Sequence, residues 1–196
     1  GTIDVDSGVE TLTVVDGVNL DMAGSSDLKT ATLDFAYDYD PALSTANAAI
    51  AAAGYSSSFT ADMNDGTIDF SDLETLTVTG SLMDLYIDGA ELITLSIDAT
   101  MHDLTITGAL DLTTLTVATG SKIGDISLAG TTNLAVADFN HTSNLTDVDA
   151  TAEKSVTFSA TNNTALTKLH STGDDVDELT ITGNTALAEL DFTGLT

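Results

Sequence analysis

The sequence predicts an all-β fold, a parallel β-solenoid with two short strands per coil of about 20–22 residues and one inserted helix. Three observations lead there. One phrase recurs from Leu73 to the end, with an apolar residue, two others, an apolar residue, any residue and an apolar residue. Each copy alternates at period two where it matters and is bounded by Gly, Asn or Asp, the mark of a short strand and not of a helical turn. The beat of about ten residues is too short to close a loop around a filled interior, because extended chain covers only about 3.3 Å per residue, so two phrases make one coil.

The clearest copies are Leu73-Glu-Thr-Leu76-Thr-Val78, Leu82-Met-Asp-Leu85-Tyr-Ile87, Leu92-Ile-Thr-Leu95-Ser-Ile97, Met101-His-Asp-Leu104-Thr-Ile106, Leu112-Thr-Thr-Leu115-Thr-Val117 and Ile123-Gly-Asp-Ile126-Ser-Leu128. Val176-Asp-Glu-Leu179-Thr-Ile181 and Leu187-Ala-Glu-Leu190-Asp-Phe192 carry it in full too, shorter copies begin at Leu145 and Leu166, and weaker ones at Leu134 and Lys154. A coil cannot bury its own apolar edge, so neighbours stack and the aliphatic columns merge into one core.

Residues 1–35 keep the same beat. Gly1-Thr-Ile-Asp4 followed by Val9-Glu-Thr-Leu-Thr-Val14 is echoed by Gly66-Thr-Ile-Asp69 followed by Leu73-Glu-Thr-Leu-Thr-Val78. We therefore read N-terminal coils over 1–35, an insertion over 36–64 and the main repeats over 65–196, as one continuous domain and a piece of a longer protein. Within the insertion, Asp40-Pro41 reads as an N-cap followed by proline at the first helical position, and the Ala-rich run to Gly54 predicts a helix over 41–53. Its plain role is to cover an apolar edge of the solenoid.

Composition narrows the partners. The chain of 196 residues carries 31 acidic residues against four lysines and no arginine, a formal charge of −27, with 42% hydrophobic residues and no cysteine. That apolar content supports a packed core despite the charge. The acidic surface repels nucleic acid and anionic membranes and attracts cations. No apolar run is long enough for direct membrane insertion.

Stacking gives the outward residues their meaning. One wall presents Thr75/Thr77/Thr79, Thr94/Ser96/Asp98, Thr114/Thr116/Ala118, Val136/Asp138/Asn140, Ser155/Thr157/Ser159 and Glu178/Thr180/Thr182, largely a hydroxyl field. The other wall presents Asp84, Asp103, Asp125, Asp147, Lys168 and Glu189 at its first outward position, an acidic column. Carboxylates abreast on neighbouring strands, about 4.8 Å apart, repel one another. Two of them could share a Ca²⁺, which takes six to eight oxygens in irregular geometry, so Asp84, Asp103, Asp125 and Asp147 are candidate metal ligands. The plain alternatives are a solvated acidic face screened by salt, and adaptation to brine. A second candidate cation site is Asp62-Met-Asn64-Asp65-Gly66 with Asp69, which opens like an EF-hand loop but is one residue short and lacks the closing Glu.

Catalysis has little support. His102, His141 and His170 fall at no ligand spacing, and the chain has no phosphate loop, no Gly-x-Ser-x-Gly elbow and no cysteine nucleophile. The expectation is a protein that is not an enzyme.

The phrase, as in Leu76-Thr-Val78 and Leu179-Thr-Ile181 with the residues before them, resembles the strand of leucine-rich repeats, and Val176 to Leu187 with Asn184 comes nearest. The chain departs from that family in its half-length beat and in its asparagine ladder, since Ser81, Ala90, Thr100, Ala109, Gly120 and Thr131 stand where asparagine would. In its Thr/Asp-rich, Cys-free, Lys-poor composition it is similar to repeats of bacterial surface-layer proteins and large adhesins. The resemblance implies an extracellular cell-surface scaffold that self-associates or binds neighbouring surface proteins, assembled with Ca²⁺. The competing expectations are an adhesin or ice-binding module, motivated by Thr77-Val-Thr79, Thr105-Ile-Thr107 and Thr180-Ile-Thr182, and a carbohydrate-active solenoid enzyme. The three triplets fall on different walls and are interrupted by Asp98, Asp138 and Asn140, which argues against a regular ice-matching array.

Overall fold

A computed structural model describes residues 2–4, 8–15, 19–21, 27–36, 58–62, 73–81, 84–88, 91–142, 144–151, 157–171 and 176–192. Every strand pairing within them is parallel, as the ten-residue beat requires. Wall A is built from β2 (Thr11–Val15), β4 (Thr30–Ala36), β6 (Thr75–Ser81), the first half of β8 (Thr94–Thr107), β9 (Thr114–Val117), β11 (Val136–Asp138), β13 (Thr157–Thr161) and β15 (Glu178–Thr182). Wall B takes β5 (Ser58–Asp62), β7 (Asp84–Asp88), the second half of β8, β10 (Lys122–Ala129), β12 (Asp147–Thr151), β14 (Lys168–Ser171) and β16 (Glu189–Phe192). At the N-terminal end β1 (Thr2–Asp4) and β3 (Asn19–Asp21) pair in a small sheet of their own. No helix occurs among the described residues, and the helix expected over 41–53 lies outside them.

In the copies beginning at Leu73, Leu92, Met101, Leu112 and Ile123 all three apolar positions point inward, whereas Leu179 and Leu190 of the closing copies are exposed. Leu73, Leu76 and Val78 are buried, and so are Leu92, Leu95 and Ile97, Met101, Leu104 and Ile106, Leu112, Leu115 and Val117, and Ile123, Ile126 and Leu128. The residues between them alternate outward along each strand, which is the period-two pattern of a sheet with one wet face. Strands β2 and β4 join wall A in register with β6, so the N-terminal coils and the main repeats share that wall.

Two details differ from the sequence reading. The phrases beginning at Leu92 and Met101 are a single strand, β8, which runs through the corner between the walls: Asp98-Ala-Thr-Met101 contains no Gly, Asn or Pro to break it, and Ala99 is small enough to turn inward. In the weak copy at Lys154 the outward residues stand two positions later than its spacing predicts. Thr157, not Ser155, pairs with Val136 and Glu178, so wall A presents Thr157/Ser159/Thr161 there. Phe158 and Ala160 are the buried residues of that strand, and Phe158 lies opposite Ala137, where its ring fills the space the alanine leaves.

Where the inward positions shrink to Ala137, Ala150 and Ala160, the volume is recovered by Phe139 and Phe158, both buried. Their rings lie 5.5 Å apart, and Phe158 meets Phe192 of wall B edge-on at 5.6 Å.

The corners after wall A follow their own pattern. Gly120, His141, Asn162 and Gly183 have positive φ of 94°, 60°, 59° and 73° and turn the chain sharply. The next residue in each coil, Ser121, Thr142, Asn163 and Asn184, is polar and points inward, with the first three buried. Asn163 Oδ1 accepts from the Thr142 N–H at 2.7 Å, and its Nδ2 donates to the Phe139 carbonyl at 2.6 Å. Asn184 does the same one coil later, to the Asn163 N–H and the Ala160 carbonyl, both at 2.8 Å. Asparagines therefore serve this one corner in the closing coils, Asn184, already marked by the spacing of its phrase, and Asn163 one coil before it. Ser121 takes up part of the role, its hydroxyl lying 3.4 Å from the Ile97 carbonyl.

At the corner after wall B, Thr131 stands where the preceding coil has Ala109; both follow a glycine with positive φ, Gly130 and Gly108. Thr131 is fully buried and its hydroxyl has no hydrogen-bond partner. Thr131→Val, which keeps the shape and removes the unsatisfied oxygen, is expected to leave the melting temperature unchanged or raise it by a few degrees, since a buried unpaired hydroxyl costs about 1–3 kcal/mol. A fall on thermal denaturation would show that the hydroxyl is bonded.

Candidate functional site

Wall B carries the acidic column in register. Asp84 pairs with Asp103, Asp103 with Asp125, Asp125 with Asp147, Asp147 with Lys168 and Lys168 with Glu189. The alignment follows from the repeat: each of these residues stands immediately before the second buried position of its phrase, so stacking places them abreast. A second outward column runs beside it through Tyr86, Thr105, Ser127, Asp149, His170 and Asp191. Its acidic lower half was not singled out in the sequence, although the same offset of two residues would have found it.

Three carboxylates of the column, Asp103, Asp125 and Asp147, have local partners. Asp103 Oδ2 lies 3.1 Å from His102 Nδ1, the Thr146 hydroxyl donates to Asp125 Oδ1, and Lys168 Nζ lies 3.8 Å from Asp147 Oδ2. The repulsion expected of the column is thus relieved partly by its own neighbours, Lys168 being the cation built into it. Between the columns lie two shallow grooves of about 220 Å³ and 210 Å³, one flanked by Asp103, Asp125, Asp147 and Asp149, the other by Asp147, Asp149, Glu189 and Asp191.

Among the described residues no three His, Asp or Glu side chains converge tightly enough to hold a metal ion by themselves. A cation on wall B would take carboxylate oxygens from two adjacent coils and complete its shell with water, chemistry open to Ca²⁺. Of the second candidate site, Asp62 ends β5 opposite Asp88, while Asn64, Asp65 and Asp69 lie outside the described residues.

Wall A is different in kind. Thr11, Thr30, Thr75, Thr94 and Thr114 form one aligned column, and Thr13, Thr32, Thr77, Ser96 and Thr116 a second. All ten point outward, and their hydroxyls form no hydrogen bond to other described residues. The array ends at β11, where Val136 and Asp138 take these positions. The triplets Thr77-Val-Thr79, Thr105-Ile-Thr107 and Thr180-Ile-Thr182 belong to different columns and walls. The register shows that Asp98 stands in a third column, beside Thr79, outside the pair.

The class defined by these features is a parallel β-solenoid with one acidic and one hydroxyl-bearing wall. No family model, no curated protein and no solved structure matches the chain.

Proposed function

We propose that the chain is a structural repeat module of an extracellular cell surface, leucine-rich-repeat-like in its corner asparagines and surface-layer-like in its role, which assembles with copies of itself or neighbouring surface proteins through Ca²⁺ bound on wall B. The observation that supports this reading is the in-register run Asp84, Asp103, Asp125 and Asp147, which repeats one carboxylate per coil on an open wall. A repeated, solvent-open set of half-sites suits a cation shared between surfaces better than an enclosed catalytic centre.

The test separates specific Ca²⁺ binding from salt adaptation. At CaCl₂ about tenfold above a dissociation constant near 1 mM, one site is expected to raise the melting temperature by about 3–6 °C over NaCl of equal ionic strength. Asp103→Asn, Asp125→Asn and Asp147→Asn together, which leave no adjacent pair of carboxylates in the run, should abolish the difference. Equal melting temperatures in the two salts would remove Ca²⁺ from the proposal. Assemblies seen by electron microscopy should likewise disperse with chelator.

A further inference from the structure

We infer that the hydroxyl array of wall A is a binding surface for an ordered water lattice, that is, an ice face. This goes beyond the scaffold proposal and does not rest on it, because the two use opposite walls.

Three properties of the array point to this ligand. Its geometry is two-dimensional and regular: parallel pairing spaces the hydroxyls about 4.8 Å apart from coil to coil, and alternation spaces the two columns roughly 6.6 Å apart along each strand. A flat grid of this kind suits a ligand that is itself a two-dimensional lattice of hydrogen-bonding oxygens. Five successive strands keep the pattern without a bulge or a missing hydroxyl.

Its chemistry is selective. Nine threonines and one serine fill ten positions without one charge, on a chain with 31 acidic residues. A carboxylate would hold its own hydration shell and disturb a lattice, whereas each threonine offers a hydroxyl that hydrogen-bonds water and a methyl that fills the space beside it. The absence of ring side chains within the array disfavours a crystalline polysaccharide, for which stacked aromatic platforms are the usual anchor.

Its energetics need a repetitive ligand. One exposed hydroxyl gains almost nothing by exchanging one water for another. Ten of them, held by a rigid sheet and by threonine side chains stiff about χ1, gain together only when the partner repeats at the same spacing. The hydroxyls are uncommitted within the described protein, so each is available to such a partner.

The experiment measures thermal hysteresis and ice recrystallisation inhibition with the full chain and two variants. Thr94→Tyr places a bulky ring at the centre of the array, and Ser127→Tyr places the same ring at an outward position of wall B. The chain is expected to inhibit ice recrystallisation at micromolar concentration, Thr94→Tyr to lose at least tenfold in potency, and Ser127→Tyr to retain it, with circular dichroism melts showing all three folded. No activity in the unmodified chain, or an equal loss in both variants, would overturn the inference. Retention on chitin or cellulose without any effect on ice would overturn it too, in favour of a polysaccharide.

Discussion

Phe158→Ala is expected to lower the melting temperature by about 6–20 °C, the largest effect of any single truncation in the closing coils. Removing a buried phenylalanine costs about 3–5 kcal/mol, and each kcal/mol corresponds to roughly 2–4 °C in a chain of this length. The site has no means of collapsing. Its strand neighbour in the preceding coil is Ala137, its own strand continues with Ala160, and the walls are held apart by backbone ladders on both sides. The tilted contact with Phe139 and the edge-on contact with Phe192 would be lost together. Because each coil of a solenoid touches only its neighbours, the loss should be local. Hydrogen exchange in the variant should accelerate over β11–β16 and leave β6–β9 protected. Uniform acceleration would mean that the stack unfolds as one unit.

Asn163→Ala is the second large effect, about 2–5 kcal/mol, or roughly 4–20 °C. The side chain is fully buried and bridges two groups of the preceding coil, the Thr142 N–H and the Phe139 carbonyl. Truncation leaves the buried Thr142 N–H unsatisfied and the Phe139 carbonyl with only the longer bond from the Thr142 hydroxyl at 3.4 Å, and that penalty, not the mean value of a hydrogen bond, sets the magnitude. Asn163→Ser should recover part of the loss, because a serine already serves this corner at Ser121. Asn184→Ala should cost less, since Asn184 is only partly buried. Thermal melts of the three variants check the order. A ladder that matters only for shape would give alanine and serine the same cost.

The sequence made the solenoid legible because its signal is redundant. Each phrase states its strand, its inward residues and its neighbour's register, so Asp103, Asp125 and Asp147 could be placed abreast from spacing alone. What escaped was carried by single residues. The phrase around Phe158 has Lys154 and Ser155 where a strong copy has aliphatic residues, and its register was missed by two. The corner of β8 is invisible because nothing in Asp98 to Met101 interrupts extended chain. Both corners turn through left-handed residues, but only the corner after wall A follows them with an inward asparagine, Asn163 or Asn184, whereas Ala109 and Thr131 follow Gly108 and Gly130 after wall B, so a ten-residue spacing does not reveal the ladder. The hydroxyl array is obscured in the sequence by the stretch read as an insertion over 36–64, which separates Thr30 and Thr32 from their partners Thr75 and Thr77.

Both functional proposals rest on coil-to-coil register, and the chain, having no cysteine of its own, allows a direct test of it. The double variant Asp125→Cys with Asp147→Cys places thiols on paired positions about 4.8 Å apart at Cα, inside the roughly 4.4–6.8 Å window for a disulfide. Asp125→Cys with Asp149→Cys places them on the diagonal, about 8 Å apart and outside it. Mild oxidation followed by mass spectrometry is predicted to give a quantitative intramolecular disulfide in the first and little in the second. Equal cross-linking in both, or preference for the diagonal pair, would contradict the stacked register.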